Sequence, residues 1–317
     1  ITATVLGVAI GVMRLSKNWL VARVMTLYIE TFRNIPVLLW IIIVFSIMIE
    51  TMPTPSAFRS GEASMMLYDS IAITNRGVYV PEPLFSRSLG DWNLFGTSSL
   101  RFGISLDLVV ILIILFGGIF ASRKVKKNAD KIQNETGVRP TTWWKRLSLI
   151  IFPVAIILWI LGLYLGYPEL KGFNFKGGTY MRNSLIALWV ALSLYTAAFI
   201  AENVRAGIQA VSKGQSEAAH ALGISSSRTM SLVILPQALR IIIPPLISQY
   251  LNLTKNSSLA IAVGYMDLTG TLMGITLNQT GRELETVLMG MAVYLAISLA
   301  ISSVMNWYNN SVKLVER

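Results

Sequence analysis

The sequence predicts an all-α protein whose helices form a polytopic transmembrane bundle. Only 14% of its 317 residues are charged, whereas soluble domains carry about 25%. The mean hydropathy is +0.60, and apolar residues form blocks of about 20, the length at which a helix crosses the hydrocarbon core of a bilayer. Because these blocks are continuous and do not alternate with polar residues, they predict helices and not the strands of a membrane barrel.

The net charge and the near absence of cysteine and histidine limit the kinds of partner and site that the chain can have. The formal net charge is +11, which in a soluble protein favours nucleic-acid binding. In a membrane protein, basic loops on the cytoplasmic side account for it, so we expect membrane lipid and no nucleic acid as a partner. The sequence has no cysteine and one histidine, His220, so we expect no disulfide, no catalytic thiol and no metal site.

The chain opens inside an apolar run. Residues 1–13 are apolar, end at Arg14 and are too few to span a bilayer, so we interpret them as the last part of a truncated first helix. Ala3, Gly7 and Gly11 recur every four residues. This spacing places small residues on one helix face and predicts a close helix–helix contact in lipid.

Six further apolar runs are separated by polar segments. In the run at 35–49, Pro36 either begins a helix or kinks a longer one from about Val24. The segment 50–103 is rich in Pro, Ser and Gly and predicts a loop with a short strand at 72–80. The other predicted spans are 104–121, 147–166, 183–201, 233–251 (interrupted by prolines) and 286–307, joined by a basic connector at 122–146, a Gly-rich loop at 167–182, a polar segment at 202–232 and a mixed segment at 252–285.

The distribution of basic residues orients the chain. If the first run ends in the cytoplasm, 18 of the 27 lysines and arginines fall on the cytoplasmic side, as the positive-inside bias requires. We therefore place the loop at 50–103 in the periplasm. The basic residues at 123–131 are expected to anchor this topology and to contact anionic lipid.

A short helix is predicted between two of the spans. Residues 216–222 are good helix formers, and Gly223 fits the position just after a helix, where φ is positive. Ala218, Ala219 and Ala221 give this helix a small-residue surface that can enter a groove on a partner. A short rigid helix between two spans can transmit motion from a soluble partner to the membrane.

The spacing around this helix is specific. Glu217-Ala218-Ala219 is followed after three residues by Gly223, and after nine more by Val233, one residue and Leu235-Pro236. This pattern resembles the EAA loop of ABC importer permeases, in which isoleucine is usual at the position of Val233. We call residues 202–236 the EAA loop. The resemblance implies a role in coupling to an ATPase for Glu217, Ala218, Ala219, Gly223, Leu235 and Pro236.

Two other segments resemble the polar amino acid permease family. Residues 28–36 read Tyr-Ile-Glu-Thr-Phe-Arg-Asn-Ile-Pro, and residues 195–208 contain Ala-Glu-Asn-Val-Arg-Ala-Gly-Ile. The likeness covers roughly 1–50 and 180–317. Residues 51–180 form an insertion relative to the shortest members, and its size resembles that in the larger general L-amino-acid and glutamate/glutamine/aspartate permeases of Gram-negative bacteria.

The resemblance implies a multi-subunit importer. It implies the type I ABC importer permease fold, an ABC ATPase subunit, a second and paralogous permease subunit, a periplasmic substrate-binding protein and a place in the inner membrane of a Gram-negative bacterium. The sequence has no Gly-x-x-x-x-Gly-Lys-Ser/Thr phosphate loop. We therefore expect the partner ATPase to bind ATP and Mg²⁺, and this chain to be a transporter subunit that is not an enzyme and carries no cofactor.

Together with the apolar runs, the resemblance predicts four regions of the chain. They are the first transmembrane helices at 1–49, the periplasmic loop at 50–103, an inserted helix pair with its basic connector at 104–182, and the core permease helices with the EAA loop at 183–317.

Polar residues within or beside the spans are candidates for the substrate path. An amino acid carries both charges and needs hydrogen-bond donors and acceptors along its route. Ionisable residues in a span are functional candidates, and a structural i,i+3 ion pair is the alternative for Glu202 and Arg205. A plain loop at the membrane surface is the alternative for the later residues. The candidates are Glu202, Arg205, Asn252, Lys255 and Asn256.

Glu30 and Arg33 lie near the end of a predicted span. They are candidates for gating, for the substrate pathway or for the ATPase contact. The alternative is an interfacial ion pair, because residues three apart are neighbours on a helix.

Three other functions stay open at this point. An ion-gradient-driven secondary amino-acid transporter would need inverted repeats, and no internal repeat is visible. An ABC permease for a different small solute would not account for the segments at 28–36 and 195–208. A membrane-anchored assembly protein would leave the EAA spacing without a role.

Overall fold

A computed structural model of the chain describes residues 1–93, 103–138 and 140–312, which are mainly helical. Six of the described helices are long and apolar enough to cross a membrane, so the chain is a multi-pass membrane protein. The helices are α1 (Thr2–Arg14), α2 (Trp19–Asn34), α3 (Val37–Thr51), α4 (Pro55–Ser60), α5 (Leu106–Thr136), α6 (Trp143–Ile160), α7 (Asn183–Gln209), α8 (Lys213–Ala221), α9 (Ser226–Thr229), α10 (Leu235–Asn256), α11 (Leu277–Thr280) and α12 (Glu283–Val312).

In the part of the chain that the structure describes, nine short strands lie between the helices. They form one three-stranded sheet in the order β1-β2-β9 and the two-stranded pairs β3–β6, β4–β5 and β7–β8. The strands are β1 (Ala72–Thr74), β2 (Gly77–Val80), β3 (Glu82–Phe85), β4 (Asp91–Asn93), β5 (Gly103–Ser105), β6 (Leu163–Gly166), β7 (Glu169–Lys171), β8 (Asn174–Lys176) and β9 (Thr179–Arg182).

Some of the residues on which the predicted orientation depends lie outside the described residues. This is so for residues 94–102 of the predicted periplasmic loop. It is also so for four of the basic residues that were counted: Arg101, Arg139, Lys313 and Arg317.

The single strand predicted at 72–80 is wrong, because the structure has two strands and a turn there. The hydroxyl of Thr74 donates to the Gly77 carbonyl at 2.8 Å and accepts from the Gly77 amide at 3.1 Å. These bonds hold a tight turn over Asn75 and Arg76, and hydroxyl side chains commonly bond nearby backbone in this way. The Gly-rich loop predicted at 167–182 also differs from the structure, since β7, β8 and β9 lie within it.

The inserted helix pair differs from the sequence prediction at three ends. Helix α5 continues for 31 residues, so most of the expected connector is helical, as its lysines and arginines favour. Helix α6 begins at Trp143, before the predicted start of its span. It ends at Ile160, because residues 163–166 pair antiparallel with 82–85 as a strand.

By its contacts the chain divides into two compact units. The first comprises Ile1–Ala63, Ile73–Val78 and Met181–Arg317, and the second comprises Ser64–Ala72 and Tyr79–Tyr180. In the second unit α5 packs against α6, and a side chain at Gly118 would lie 2.7 Å from the Leu149 carbonyl oxygen. The glycine therefore permits the two helices to touch through their backbones.

Helix α7 is the centre of the first unit, where α1, α2, α3 and α10 pack around it. The predicted small-residue face of α1 is confirmed, because Ala3, Gly7 and Gly11 are all buried. A Cβ atom at Gly7 would lie 2.6 Å from Ile200, and one at Gly11 would lie 2.7 Å from the Ala201 carbonyl oxygen. Only glycine leaves room for this approach in a lipid-exposed bundle.

Pro36 interrupts the helical chain, whereas the prolines of α10 do not. Helix α2 ends at Asn34, Ile35 is extended, and Pro36 is the residue before α3, so Pro36 separates two helices. The expected interruption at 233–251 is wrong, since α10 runs unbroken through Pro244 and Pro245. Membrane helices tolerate such prolines because neighbouring groups can satisfy the freed carbonyls.

Candidate functional site

The predicted helix of the EAA loop is α8, and it ends as the sequence indicates. Gly223 has φ of 74°, a conformation that glycine adopts without steric cost. The Gly223 amide donates to the His220 carbonyl at 2.9 Å, and the Ile224 amide donates to the Ala219 carbonyl at 3.0 Å. These two bonds form a complete Schellman motif, which fixes the direction in which the chain leaves α8.

The two ends of the EAA loop are themselves helical. Residues 202–209 continue α7, and Leu235 is the first residue of α10. A π-helical segment, Met230–Ile234, joins α9 to α10 without a break. Residues 226–256 are therefore continuously helical, although they pass from α9 through the π-helical segment into a membrane-spanning helix.

The faces of α8 have different surroundings. Ala219 is 4% exposed and faces its own chain, so the expectation that all three alanines offer a surface to a partner is wrong for Ala219. Glu217, Ala218 and Gly223 are exposed. Leu222 is 80% exposed, so it belongs to the outer face of α8. The sequence analysis did not select it, although its position just before the glycine at the helix end is visible in the sequence.

One polar contact joins α8 to α10. The Gln237 side-chain amide donates to the Val233 carbonyl at 2.9 Å and to the Gln215 side-chain oxygen at 3.5 Å. Leu235 and Pro236 are exposed beside this contact. A weak side-chain hydrogen bond thus links the helix with the exposed face to the first turn of the spanning helix.

Glu202 and Arg205 form an i,i+3 pair within α7, which is the alternative to a place in the substrate path. The Arg205 guanidinium donates to both carboxylate oxygens of Glu202, at 2.5 and 3.2 Å, which is the strong, two-bond geometry of arginine with a carboxylate. Arg14, at the end of α1, also donates to Glu202, and Arg205 donates to Gln209. This arginine–glutamate cluster fastens α1 to α7.

Removing the central carboxylate tests the cluster. We expect Glu202→Gln to lower the free energy of unfolding by about 2 kcal/mol, because two arginines lose their charged acceptor in a partly buried site. The melting temperature of the solubilised protein measures this loss. Glu285→Gln is the matched control, since Glu285 forms an exposed i,i+3 pair with Arg282 at 3.8 Å, and such pairs contribute little. Equal melting temperatures for the two variants would contradict the assignment.

Glu30 and Arg33 do not form the mutual pair that was considered. The Glu30 carboxylate lies 4.0 Å from Arg14 and accepts a weak bond from Asn34 at 3.5 Å. The guanidinium carbon of Arg33 instead lies 5.5 Å from the ring centre of Phe199 on α7, within the range of a cation–π contact.

A polar cavity lies between α7 and α10. Its volume is about 260 Å³, a little below the roughly 300–1,000 Å³ of typical small-molecule sites. Of the predicted path residues, Asn252 and Asn256 line it, whereas Lys255 is exposed and lies outside the lining. Neither Glu202 nor Arg205 lines it. The lining residues are Tyr195, Thr196, Phe199, Gln249, Asn252, Leu253 and Asn256.

The chain is thus a helical membrane protein that has a small polar cavity and a short exposed helix. Two spanning helices, α7 and α10, border a small polar cavity, and a capped helix with an exposed face contacts the first turn of α10. The chain belongs to the family described as binding-protein-dependent transport system inner membrane component, which matches residues 137–314.

Three relatives cover nearly the whole chain. The glutamate/glutamine/aspartate/asparagine transport system permease protein BztB of Rhodobacter capsulatus is 56% identical over 96% of this chain and 73% of its own length. The putative amino-acid ABC transporter permease protein YhdX of Escherichia coli is 45% identical over 99% and 74%. The general L-amino acid transport system permease protein AapQ of Rhizobium johnstonii is 42% identical over 100% and 73%. The resemblance to polar amino acid permeases predicted from the sequence is confirmed.

Proposed function

We propose that this chain is the membrane-spanning permease subunit of an ABC importer that carries polar L-amino acids across the inner membrane of a Gram-negative bacterium. The observation that carries the proposal is α8, whose Schellman end fixes its geometry and whose outer face is exposed. Family membership and the substrates named for the relatives support it. A secondary carrier working alone would give this helix no role.

The proposed mechanism is alternating access driven by a separate ATPase. An ABC ATPase that binds ATP and Mg²⁺ docks on the exposed face of α8 in the cytoplasm, next to Glu217, Ala218 and Leu222. Closure of the ATPase moves α8, and the contact of Gln215 with Gln237 passes the movement to α10. Because Asn252 and Asn256 lie on α10, the same movement changes access to the cavity.

The complete transporter requires further chains. A second, paralogous permease subunit would close the substrate path on its open side, and a periplasmic binding protein would deliver the substrate. The amide side chains of Gln249, Asn252 and Asn256 offer both donors and acceptors, which a zwitterion needs. We assign Glu202 and Arg205 a structural role at the interface between α1 and α7. The substrate path then runs through the amide-lined cavity.

Purification from the native membrane in mild detergent tests this function. We expect an ATPase, a second permease and a binding protein to co-purify, and the reconstituted complex to take up amino acids only with ATP and loaded binding protein. A chain that purifies alone and transports on an ion gradient without ATP would overturn the proposal.

A further inference from the structure

Helices α5 and α6 leave the membrane at the same level. The apolar run of α5 ends at Ala121 and that of α6 begins at Leu147. The Nε group of Arg146 donates to the hydroxyl of the buried Ser122 at 3.3 Å. This bond joins the residues that lie just outside the two apolar runs, so it marks the depth at which both helices pass from hydrocarbon into the layer of lipid headgroups.

Aromatic residues support this depth. The rings of Trp143 and Trp144 stack with their centres 3.8 Å apart in the turn of α6 before Arg146, and both side chains are more than half exposed. Tryptophan is enriched at the level of the headgroups. The ammonium group of Lys124 lies 4.9 Å from the centre of the Phe120 ring, so this basic side chain lies against the last apolar turn of α5, as snorkelling side chains do.

Six basic residues near this level form no ion pair with a carboxylate among the described residues. Three of them, Arg123, Lys126 and Lys127, share one face of α5 because they are spaced i, i+3 and i+4. Arg146 is held through Nε, and its two terminal nitrogens make no hydrogen bond to a described residue, so they are available to a ligand. The six residues are Arg123, Lys124, Lys126, Lys127, Lys145 and Arg146.

The next basic residue along α5 differs from these six. The ammonium group of Lys131 lies 3.9 Å from the carboxylate of Glu135. Its position after Arg123 places it about 12 Å farther along the helix axis. The unpaired positive charges are therefore concentrated where the two helices leave the membrane, and basic residues at that depth attract anionic lipid.

We propose that the ends of α5 and α6 form a binding site for the headgroup phosphate of an anionic phospholipid. Arg146, held in place by Ser122, binds two phosphate oxygens through its terminal nitrogens, a geometry that the planar guanidinium favours. Arg123 and the lysines around it supply the remaining positive charge. The lipid contact expected from the sequence for residues 123–131 thereby becomes a two-helix site that includes Arg146 and excludes Lys131. The site stands independently of the proposed transport function.

Lipid binding by the full chain tests this site. The protein is purified in mild detergent with the subunits that accompany it, and phosphatidylglycerol and phosphatidylcholine are titrated separately while native mass spectrometry measures the bound fraction. Both lipids carry a phosphate, but only phosphatidylglycerol has a net negative charge. We expect phosphatidylglycerol to bind at least about tenfold more tightly, because several basic residues face it. Arg146→Gln is expected to weaken its binding about fivefold, the effect of one basic residue at an anionic surface.

Arg123→Gln should weaken binding similarly without affecting folding, because Arg123 is exposed. Lys131→Gln is the matched control, since it removes one charge from the same helix outside the site, and it should bind like the wild type. Inorganic phosphate at the same concentration is expected to leave the lipid bound. Equal binding of the two lipids by the wild type, equal losses in Lys131→Gln and Arg123→Gln, or displacement of the lipid by inorganic phosphate would each overturn the inference.

Discussion

Replacing Gly223 with proline is expected to reduce amino-acid uptake at least about tenfold while the protein still inserts into the membrane. Gly223 has φ of 74°, whereas proline fixes φ near −65°. Proline also removes the amide that donates to the His220 carbonyl. Both bonds of the Schellman motif would be lost, and α8 would no longer be presented in a fixed direction to the ATPase.

The measurement combines uptake, ATP hydrolysis and assembly of the reconstituted complex. A Cβ atom at Gly223 would meet nothing within 4 Å, so we expect the membrane helices to fold normally. Gly214→Ala is the matched control, because Gly214 lies on the same helix, has open space around it and needs no positive φ. Gly223→Ala should be intermediate, since alanine adopts this conformation at a cost of roughly 1 kcal/mol. Normal uptake by Gly223→Pro would remove the coupling role from α8.

Gly7→Leu is expected to lower the free energy of unfolding by roughly 3 kcal/mol through overpacking of the contact between α1 and α7. The first carbon of the new side chain would lie 2.6 Å from Ile200 and 2.9 Å from the Ala197 carbonyl oxygen. Neither α7 backbone nor a β-branched side chain can move aside easily. The two helices must therefore separate, and the Arg14 contact with Glu202 would weaken with them.

Thermal unfolding in detergent, followed by size-exclusion chromatography, measures this effect. Val8→Leu is the matched control, because Val8 is the next residue of α1 and is exposed, and this variant should unfold like the wild type. A Gly7→Leu protein with the wild-type melting temperature would contradict the close packing of α1 on α7.

Several features could be predicted from the sequence because their causes are local. Apolar blocks fix which segments can span a bilayer, and the predicted spans are helical except at their ends. The glycine after α8 was predictable because a helix end with positive φ favours that residue. The spacing from Glu217 to Pro236 indicated the permease family, and the family match confirms it. The orientation, the partner subunits and the coupling residues stay predictions.

Three of the errors arose where the tertiary contacts of a residue are not visible in its local sequence. The strand at 163–166 was assigned to a span, because its apolar residues do not reveal that residues 82–85 pair with it. The prolines of α10 suggested a break, but a local rule does not include the neighbouring helices that support the backbone. Ala219 was expected on the outer surface, since its position alone does not show which face of α8 packs inward.

The sequence by itself determined the membrane-spanning helices, the small-residue face of α1 and the end of α8. Each depends on hydrophobicity, side-chain size or backbone conformation within a few residues. Only the tertiary structure decided that Glu202 is held by Arg14, 188 residues away, and that Arg33 lies over Phe199 beside the cavity. An arginine can pair with a nearby glutamate or stack on a distant ring, and helix packing determines which partner lies within reach.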